Sequence, residues 1–129
     1  MTTLKPGDTA PDIESLSYDN QKISLKNFKG QKVILFFYPK DNTPGCTAEA
    51  CNLRDNYALL KQKGFAIIGV SADNAKSHLK FSEKFSLPFP LIADTEKNIL
   101  KSYGVWGTKK FMGRTFDGIH RTTFVIDEN

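Results

Sequence analysis

Cys46 and Cys51, the only two cysteines of the chain, stand five positions apart just behind its most apolar run, Val33 to Tyr38. A thiol can be a nucleophile, a metal ligand or a disulfide partner, and its setting selects among these. Thr43 suits a helix cap and Pro44 a first helical position. From there apolar or small residues recur at Cys46, Ala50, Leu53, Tyr57 and Leu60, which is the spacing of one helix face. The pattern predicts a helix that opens at Pro44 and is stopped by Gly64, with Cys46 in its first turn. Orphan amides and the positive end of the helix dipole favour an anion there, so a thiol so placed is biased toward the nucleophilic thiolate. Thr43 can bring a hydroxyl near the sulfur, while Pro39 and Pro44 stiffen the loop and supply an apolar rim without amide donors. Such a loop would hold a small polar substrate against the sulfur.

The second cysteine constrains the chemistry further. On an ideal helix a five-residue separation is about 7.5 Å of rise and about 140° of rotation, which puts the two Cα atoms roughly 8 to 9 Å apart. A disulfide needs less than about 7 Å. If Cys46 and Cys51 pair, the start of the helix must unwind, so the spacing predicts a redox cycle coupled to local unfolding. It also differs from the thioredoxin type of motif, in which two residues separate the cysteines; here four intervene.

Pro39, Thr43 and Cys46 together resemble the active-site signature of the peroxiredoxins, a proline, three residues, a threonine, two residues and the cysteine. Cys51, five positions on, is similar to the bacterioferritin comigratory protein (PrxQ) branch of that family. Ala10-Pro11-Asp12, Gly104-Val105-Trp106-Gly107 and Gly118-Ile119-His120-Arg121 also fall where that branch has similar residues, so the resemblance spans nearly the whole chain. It implies a thioredoxin-like α/β fold and a thiol peroxidase acting on hydrogen peroxide and organic hydroperoxides. Cys46 would be peroxidatic and Cys51 resolving, with an intramolecular disulfide recycled by thioredoxin. It further implies that the guanidinium of Arg121 faces the Cys46 thiolate, and that Pro39, Thr43 and Gly45 frame the substrate. Glu49, one turn after Cys46, could orient Arg121 through a paired contact, or could simply be a favourable acid in a first turn. A thiol–disulfide oxidoreductase or redox sensor on the same fold stays open as an alternative; rapid reaction with peroxide in the absence of a protein partner distinguishes the two.

Composition narrows the other classes. A chain of 129 residues with 40% hydrophobic content and ten phenylalanines can bury a single core without staples, and it reads as one domain, 1–129. Two cysteines are too few for a disulfide scaffold, and no run approaches the length of a membrane span. Met1-Thr2-Thr3-Leu4-Lys5 leads into no apolar stretch and does not read as a signal peptide, so the expected setting is the cytoplasm. The net charge of +4 permits a nucleic-acid partner, but the basic residues are mostly lysines scattered among acids, with no basic helix or stacking motif. His78 and His120 have no ligand-like spacing to the cysteines, and no glycine-rich phosphate loop is present. No metal and no cofactor is expected, and the protein is expected to act as a monomer.

The elements that must position these residues follow in order. Leu4 to Asp12 is an extended lead-in. Ile13 to Ser17 and Gln21 to Leu25 flank a polar turn at Tyr18-Asp19-Asn20 and predict an N-terminal hairpin, after which Lys26 to Gly30 makes a short helical turn. The apolar run, the cysteine helix and a second apolar run, Phe65 to Ser71, form a right-handed strand, helix, strand unit of a central mixed sheet flanked by helices. Ligands of such sheets bind beyond the carboxyl ends of the strands, where Pro39 to Gly45 lies. Asp73 or Asn74 can cap a helix to about Phe85, with Leu79 and Phe81 to Phe85 expected to be buried. Phe89 to Ala93 is a short strand, and Thr95 can cap a helix through Tyr103. Val105 to Gly118 reads as an irregular aromatic loop, of which Trp106 or Phe111 could wall the site. His120 to Asp127 is the next strand, with Arg121, Thr123 and Val125 on one face. Members of the resembled family continue beyond this strand through a further strand and a helix, whereas this sequence stops at Glu128-Asn129, so either the sequence is incomplete or those two elements are absent.

Overall fold

A run of six apolar side chains must be covered on both faces, and the strand they form lies inside the sheet. The computed structural model describes residues 7, 11, 13–17, 22–28, 31–41, 43–111 and 113–126, without the side chains of residues 14, 16, 26, 27, 109–111, 114 and 116. Two short antiparallel strands, β1 (Glu14–Leu16) and β2 (Lys22–Ser24), form the N-terminal hairpin, and a turn of 3-10 helix at Leu25–Phe28 follows. The lead-in before Asp12, the hairpin turn at residues 18–20 and the closing Gly30 lie largely outside the described residues.

The central strand is β3 (Lys32–Phe37). It pairs in parallel with β4 (Phe65–Ser71), which pairs in parallel with β5 (Leu91–Ala93), while β8 (Thr122–Ile126) runs antiparallel along its other side. The order β5-β4-β3-β8 makes a four-stranded mixed sheet. Alternate side chains of β3 feed two cores. Val33, Leu35 and Phe37 join Ile68, Val70, Ile92, Leu100 and Tyr103 on one face; Ile34, Phe36 and Tyr38 join Cys46, Ala50, Ile67, Phe81 and Leu91 on the other. Gly69 lets the layers close, because a Cβ there would stand 2.7 Å from Leu91 Cδ2 and 2.8 Å from Phe36 Cζ.

The helices differ from the sequence expectation in three places. The cysteine helix is two helices, α1 (Pro44–Asp55) and α2 (Tyr57–Gln62). The break is at Asn56, at φ −103° and ψ 8°, whose side chain and backbone amide both donate to the Asn52 carbonyl, at 2.8 and 3.2 Å. Gly64, at φ +86°, then turns the chain into β4 as expected. In α3 (Ala75–Phe85), capped by the Asn74 side chain, the inward residues are His78, Phe81 and Ser82, whereas Leu79 is 44% exposed and Glu83 and Lys84 face solvent. The buried face is thus rotated by one residue. Thr95 caps nothing: α4 (Asn98–Ser102) starts after Lys97 in the left-handed region, and the Asp94 side chain takes the Leu100 amide at 2.8 Å.

The stretch expected to be an irregular loop is a hairpin, β6 (Trp106–Phe111) and β7 (Arg114–Ile119), in register from Trp106↔Ile119 to Phe111↔Arg114. Gly113, at φ +78°, serves its tight turn. Trp106 packs against the core face opposite Cys46, under Lys97 Nζ at 5.2 Å, so it covers the sheet and does not wall the cysteine. The Phe111 side chain lies outside the described set. No described helix is long and apolar enough to cross a membrane.

Candidate active site

Thr43 occupies the N-cap of α1 in extended conformation, and its carbonyl accepts the first helical bond from the Thr47 amide at 2.8 Å. Its hydroxyl does not cap the helix. It donates backward to the Lys40 carbonyl at 2.9 Å, which closes the loop between them. Pro44 has no amide hydrogen, and the amides of Gly45 and Cys46 have no helical or cap partner among the described residues. Two donors therefore converge at the positive end of α1, above the end of β3. Pro39 is half-buried at the root of this loop.

Cys46 turns inward and its residue is 1% exposed. Only a small or slender molecule can reach a sulfur so enclosed. Arg121 Nη2 donates to Cys46 Sγ at 3.1 Å, so a cation sits on the thiol from the far side of the sheet's edge. The β3–β8 register explains this meeting: Phe37 pairs with Thr122, so the residue just before β8 arrives where β3 gives way to the loop. Gly45 leaves the room, since a Cβ on it would lie 3.1 Å from Arg121 Nη2. Cys51 is half-buried on α1, about 100° around the helix from the core-facing Ala50, and both cysteines are free. Their sulfurs cannot meet while α1 is intact.

Glu49 touches Arg121 less closely than a bidentate pair would require. Its Oε1 is 3.7 Å from Arg121 Nη1, an ion pair and not a hydrogen bond, and Oε2 accepts from Thr123 Oγ1 at 3.4 Å. Oε1 is buried and has no hydrogen-bond partner among the described residues. Burial raises the Glu49 carboxyl above the ordinary glutamate range, and Arg121 and then Thr123 offset this only in part. A raised acid binds its proton more tightly in the folded state. Its contribution to stability is full below the ordinary range and is lost as pH rises through the raised value. Glu49→Gln removes this loss, so urea midpoints measured between about pH 4 and pH 8 are expected to fall less with rising pH than those of the native chain; equal slopes would contradict the assignment.

Beneath the loop lies a polar cluster that sequence reasoning missed. Asp41 is buried; its Oδ1 accepts from Tyr38 Oη at 2.7 Å, and its Oδ2 accepts from Ser77 Oγ at 2.8 Å and lies 2.7 Å from His78 Nδ1. The Asp41 amide donates to Asp73 Oδ2 at 2.7 Å, and Ser71 Oγ donates to the same oxygen at 2.9 Å. His78 Nε2 is 2.9 Å from the Ile92 carbonyl. Burial, and secondarily Asp41, hold the Tyr38 hydroxyl well above its ordinary ionisation range, so it stays a donor. Asp41, Asp73 and His78 each bring one possible metal-ligand atom within 4.8 Å of the others, but hydrogen-bond partners within the protein already engage all three. The signal for this cluster was faint, because an Asp beside a turn reads first as a turn former.

A groove of about 470 Å³ lined by Phe28, Tyr57, Lys61, Phe65 and Pro90 lies at the other end of β3 and β4 and contains no cysteine.

The chain is similar in sequence and in fold to known proteins. The AhpC/TSA family model matches residues 6–129. Peroxiredoxin Bcp of Escherichia coli K12 is 46% identical over 127 residues, 98% of this chain and 81% of the relative; Peroxiredoxin Bcp of Bacillus subtilis is 43% identical over 126 residues, 98% of this chain and 80% of the relative. Among solved structures, the bacterioferritin comigratory protein of Xanthomonas campestris, studied for alkyl peroxide reduction, superposes with a TM-score of 0.88 at 28% identity, over 98% of this chain and 82% of that one. A peroxiredoxin Q of the same organism gives 0.83 at 33% identity, over 98% and 81%.

Proposed function

Because the chain belongs to the AhpC/TSA family and is a thiol-dependent peroxiredoxin with a thioredoxin-like fold, we propose that Cys46 is its peroxidatic cysteine and Cys51 its resolving cysteine. The observation that carries the assignment is the 3.1 Å contact from Arg121 to a sulfur seated in the first turn of α1. The Cys46 thiolate attacks the nearer oxygen of a hydroperoxide in line with the O–O bond. The bond breaks, the sulfur keeps one oxygen as a sulfenic acid, and the other oxygen departs as hydroxide or alkoxide and takes up a proton. The amides of Gly45 and Cys46, without a backbone partner among the described residues, and the guanidinium of Arg121 face the charge that develops on the oxygens. The Thr43 hydroxyl, whose hydrogen is given to Lys40, keeps lone pairs free to accept the hydrogen of the incoming peroxide. Pro39 shapes the loop's root, and Glu49 steadies Arg121 by charge.

The first turns of α1 then unwind, the Cys51 thiol displaces the sulfenic oxygen as water, and a Cys46–Cys51 disulfide forms. A dithiol reductant of the thioredoxin class returns both thiols by exchange. The enclosed sulfur suits hydrogen peroxide and slender alkyl hydroperoxides, the latter also supported by the Xanthomonas relative. We read the chain as a single domain acting as a monomer in the cytoplasm on these small substrates.

Intact mass after one equivalent of hydrogen peroxide tests the cycle. The reduced native chain is expected to lose two hydrogens within seconds. Cys51→Ser is expected to gain one oxygen at the native rate and to lose steady turnover with thioredoxin by at least about 100-fold, because its sulfenic acid has no intramolecular thiol to condense with. Oxidation of the native chain no faster than that of a free cysteine would remove the peroxidase reading.

A further inference from the structure

The buried cluster below the cysteine loop has a task that the reaction itself does not explain. The Asp41 side chain is held by three donors from β3's end and from α3, and its amide is held by Asp73 at the β4–α3 junction. Five residues later the chain carries Cys46 in a helix turn that must come apart for the disulfide to close. Both ring nitrogens of His78 face acceptor oxygens, the Ile92 carbonyl and Asp41 Oδ2. The residue that bears the cluster is fixed to the sheet and to α3 at once. Among the described residues, the loop beyond it is held by Thr43 to Lys40, Thr47 to Thr43 and Arg121 to Cys46.

We propose that Asp41, with Tyr38, Ser77 and His78, is a fixed pin at the root of the Cys46 loop, a set of positioning residues that keeps the loop in its peroxide-reactive shape and confines unwinding to the residues after Asp41. The pin stays closed through the redox cycle. It contributes to the peroxide step, which needs the loop folded, and not to disulfide closure, which needs α1 open. Residue 41 and residue 47 thus belong to different mobility classes although six positions apart. This rests on the assignment of Cys46 and Cys51 given above.

Two measurements test it. The first is amide hydrogen exchange, read residue by residue on the native chain, reduced and as the Cys46–Cys51 disulfide. The Thr47 amide is expected to lose protection at least tenfold on oxidation, and the Asp41 amide to keep its protection within about twofold. Loss of protection at Asp41 would overturn the pin, because the root would then unfold with the helix. The second is a rapid-mixing comparison of Asp41→Ala, Asp41→Asn and the native chain, scoring the bimolecular reaction of Cys46 with hydrogen peroxide apart from the unimolecular loss of water that closes the disulfide.

Asp41→Ala is expected to slow the peroxide step at least tenfold and to leave disulfide closure as fast or faster. The variant is expected to fold, because Tyr38 Oη, 3.3 Å from His78 Nδ1, can turn its hydrogen to that nitrogen. Asp41→Asn is expected to restore the peroxide step to within about threefold of native: its carbonyl accepts from Tyr38, and its amino group donates to a neutral His78 Nδ1 and to Ser77 Oγ. Equal slowing of both steps, no slowing of either, or an asparagine as damaging as the alanine would each overturn the proposal. If the native chain failed to react or to form the disulfide, the assignment of the cysteines would fail instead, so the two failures are distinct.

Discussion

Cys46→Ser is expected to abolish peroxide turnover, by at least about 10⁴-fold, while the protein keeps its fold. Serine differs from cysteine by one atom in a site that is already enclosed, so packing changes little, but its hydroxyl is un-ionised at any working pH and the nucleophile is gone. The remaining thiol does not take over. Cys51 lies on another side of α1, without the Arg121 contact and away from the amides of Gly45 and Cys46, and is expected to oxidise only at the rate of an ordinary thiol. Two readouts check this: consumption of hydrogen peroxide with a thioredoxin system, and intact mass after one equivalent of oxidant. Residual turnover above about a tenth of native, or fast oxidation at Cys51, would show that the peroxidatic role belongs elsewhere.

Arg121→Gln is expected to lower the second-order rate of Cys46 with peroxide by about 10² to 10³, the loss typical of removing one preorganised donor from developing charge. Solvent screening weighs against a larger figure, because the Arg121 side chain is 39% exposed. Burial of the sulfur weighs the other way, since at 1% exposure it has little water to replace the lost cation. Glutamine is uncharged and ends two bonds short of the Nη2 position, so the effect reports loss of the charge and of its hydrogen bond together. Arg121→Lys is expected to recover only part of the rate. An ammonium is a point charge and cannot hold Sγ from one nitrogen while facing Glu49 from another 3.7 Å away. Stopped-flow oxidation under reducing-equivalent limitation measures both variants, and a native rate in Arg121→Gln would remove the residue from the site.

The chemistry was more legible in the sequence than the scaffold around it. Cys46 at the start of a helix behind a buried strand follows from Val33–Tyr38, Thr43 and Pro44, because strand burial, capping residues and helix spacing act locally and agree. The β3–β4 crossover follows for the same reason. Arg121 was reachable only through resemblance, since its approach to Cys46 depends on the pairing of β8 with β3, a contact between distant segments. The hairpin of β6 and β7 escaped because its glycines and large aromatics mask the two-residue alternation that marks a strand.

The break at Asn56 leaves the apolar spacing unaltered, so the spacing could not show it. His78 illustrates the hardest class. Its spacing to Phe81 and Phe85 is that of a buried face, but Leu79 offered a more hydrophobic candidate, and only the Asp41 carboxylate waiting inside made a histidine the better tenant.

The contact between Arg121 and Cys46 joins residues 75 positions apart, and it is delivered by the register of β8 on β3. A ribosome making this chain therefore exposes the thiol long before it has made the arginine. Until β8 docks, Cys46 lacks its cation, and the nascent chain passes through synthesis with a sulfur no more reactive than its helix alone would make it. Reactivity toward oxidants is thus expected to rise when the sheet is completed, and a partly made or misregistered chain is expected to oxidise more slowly.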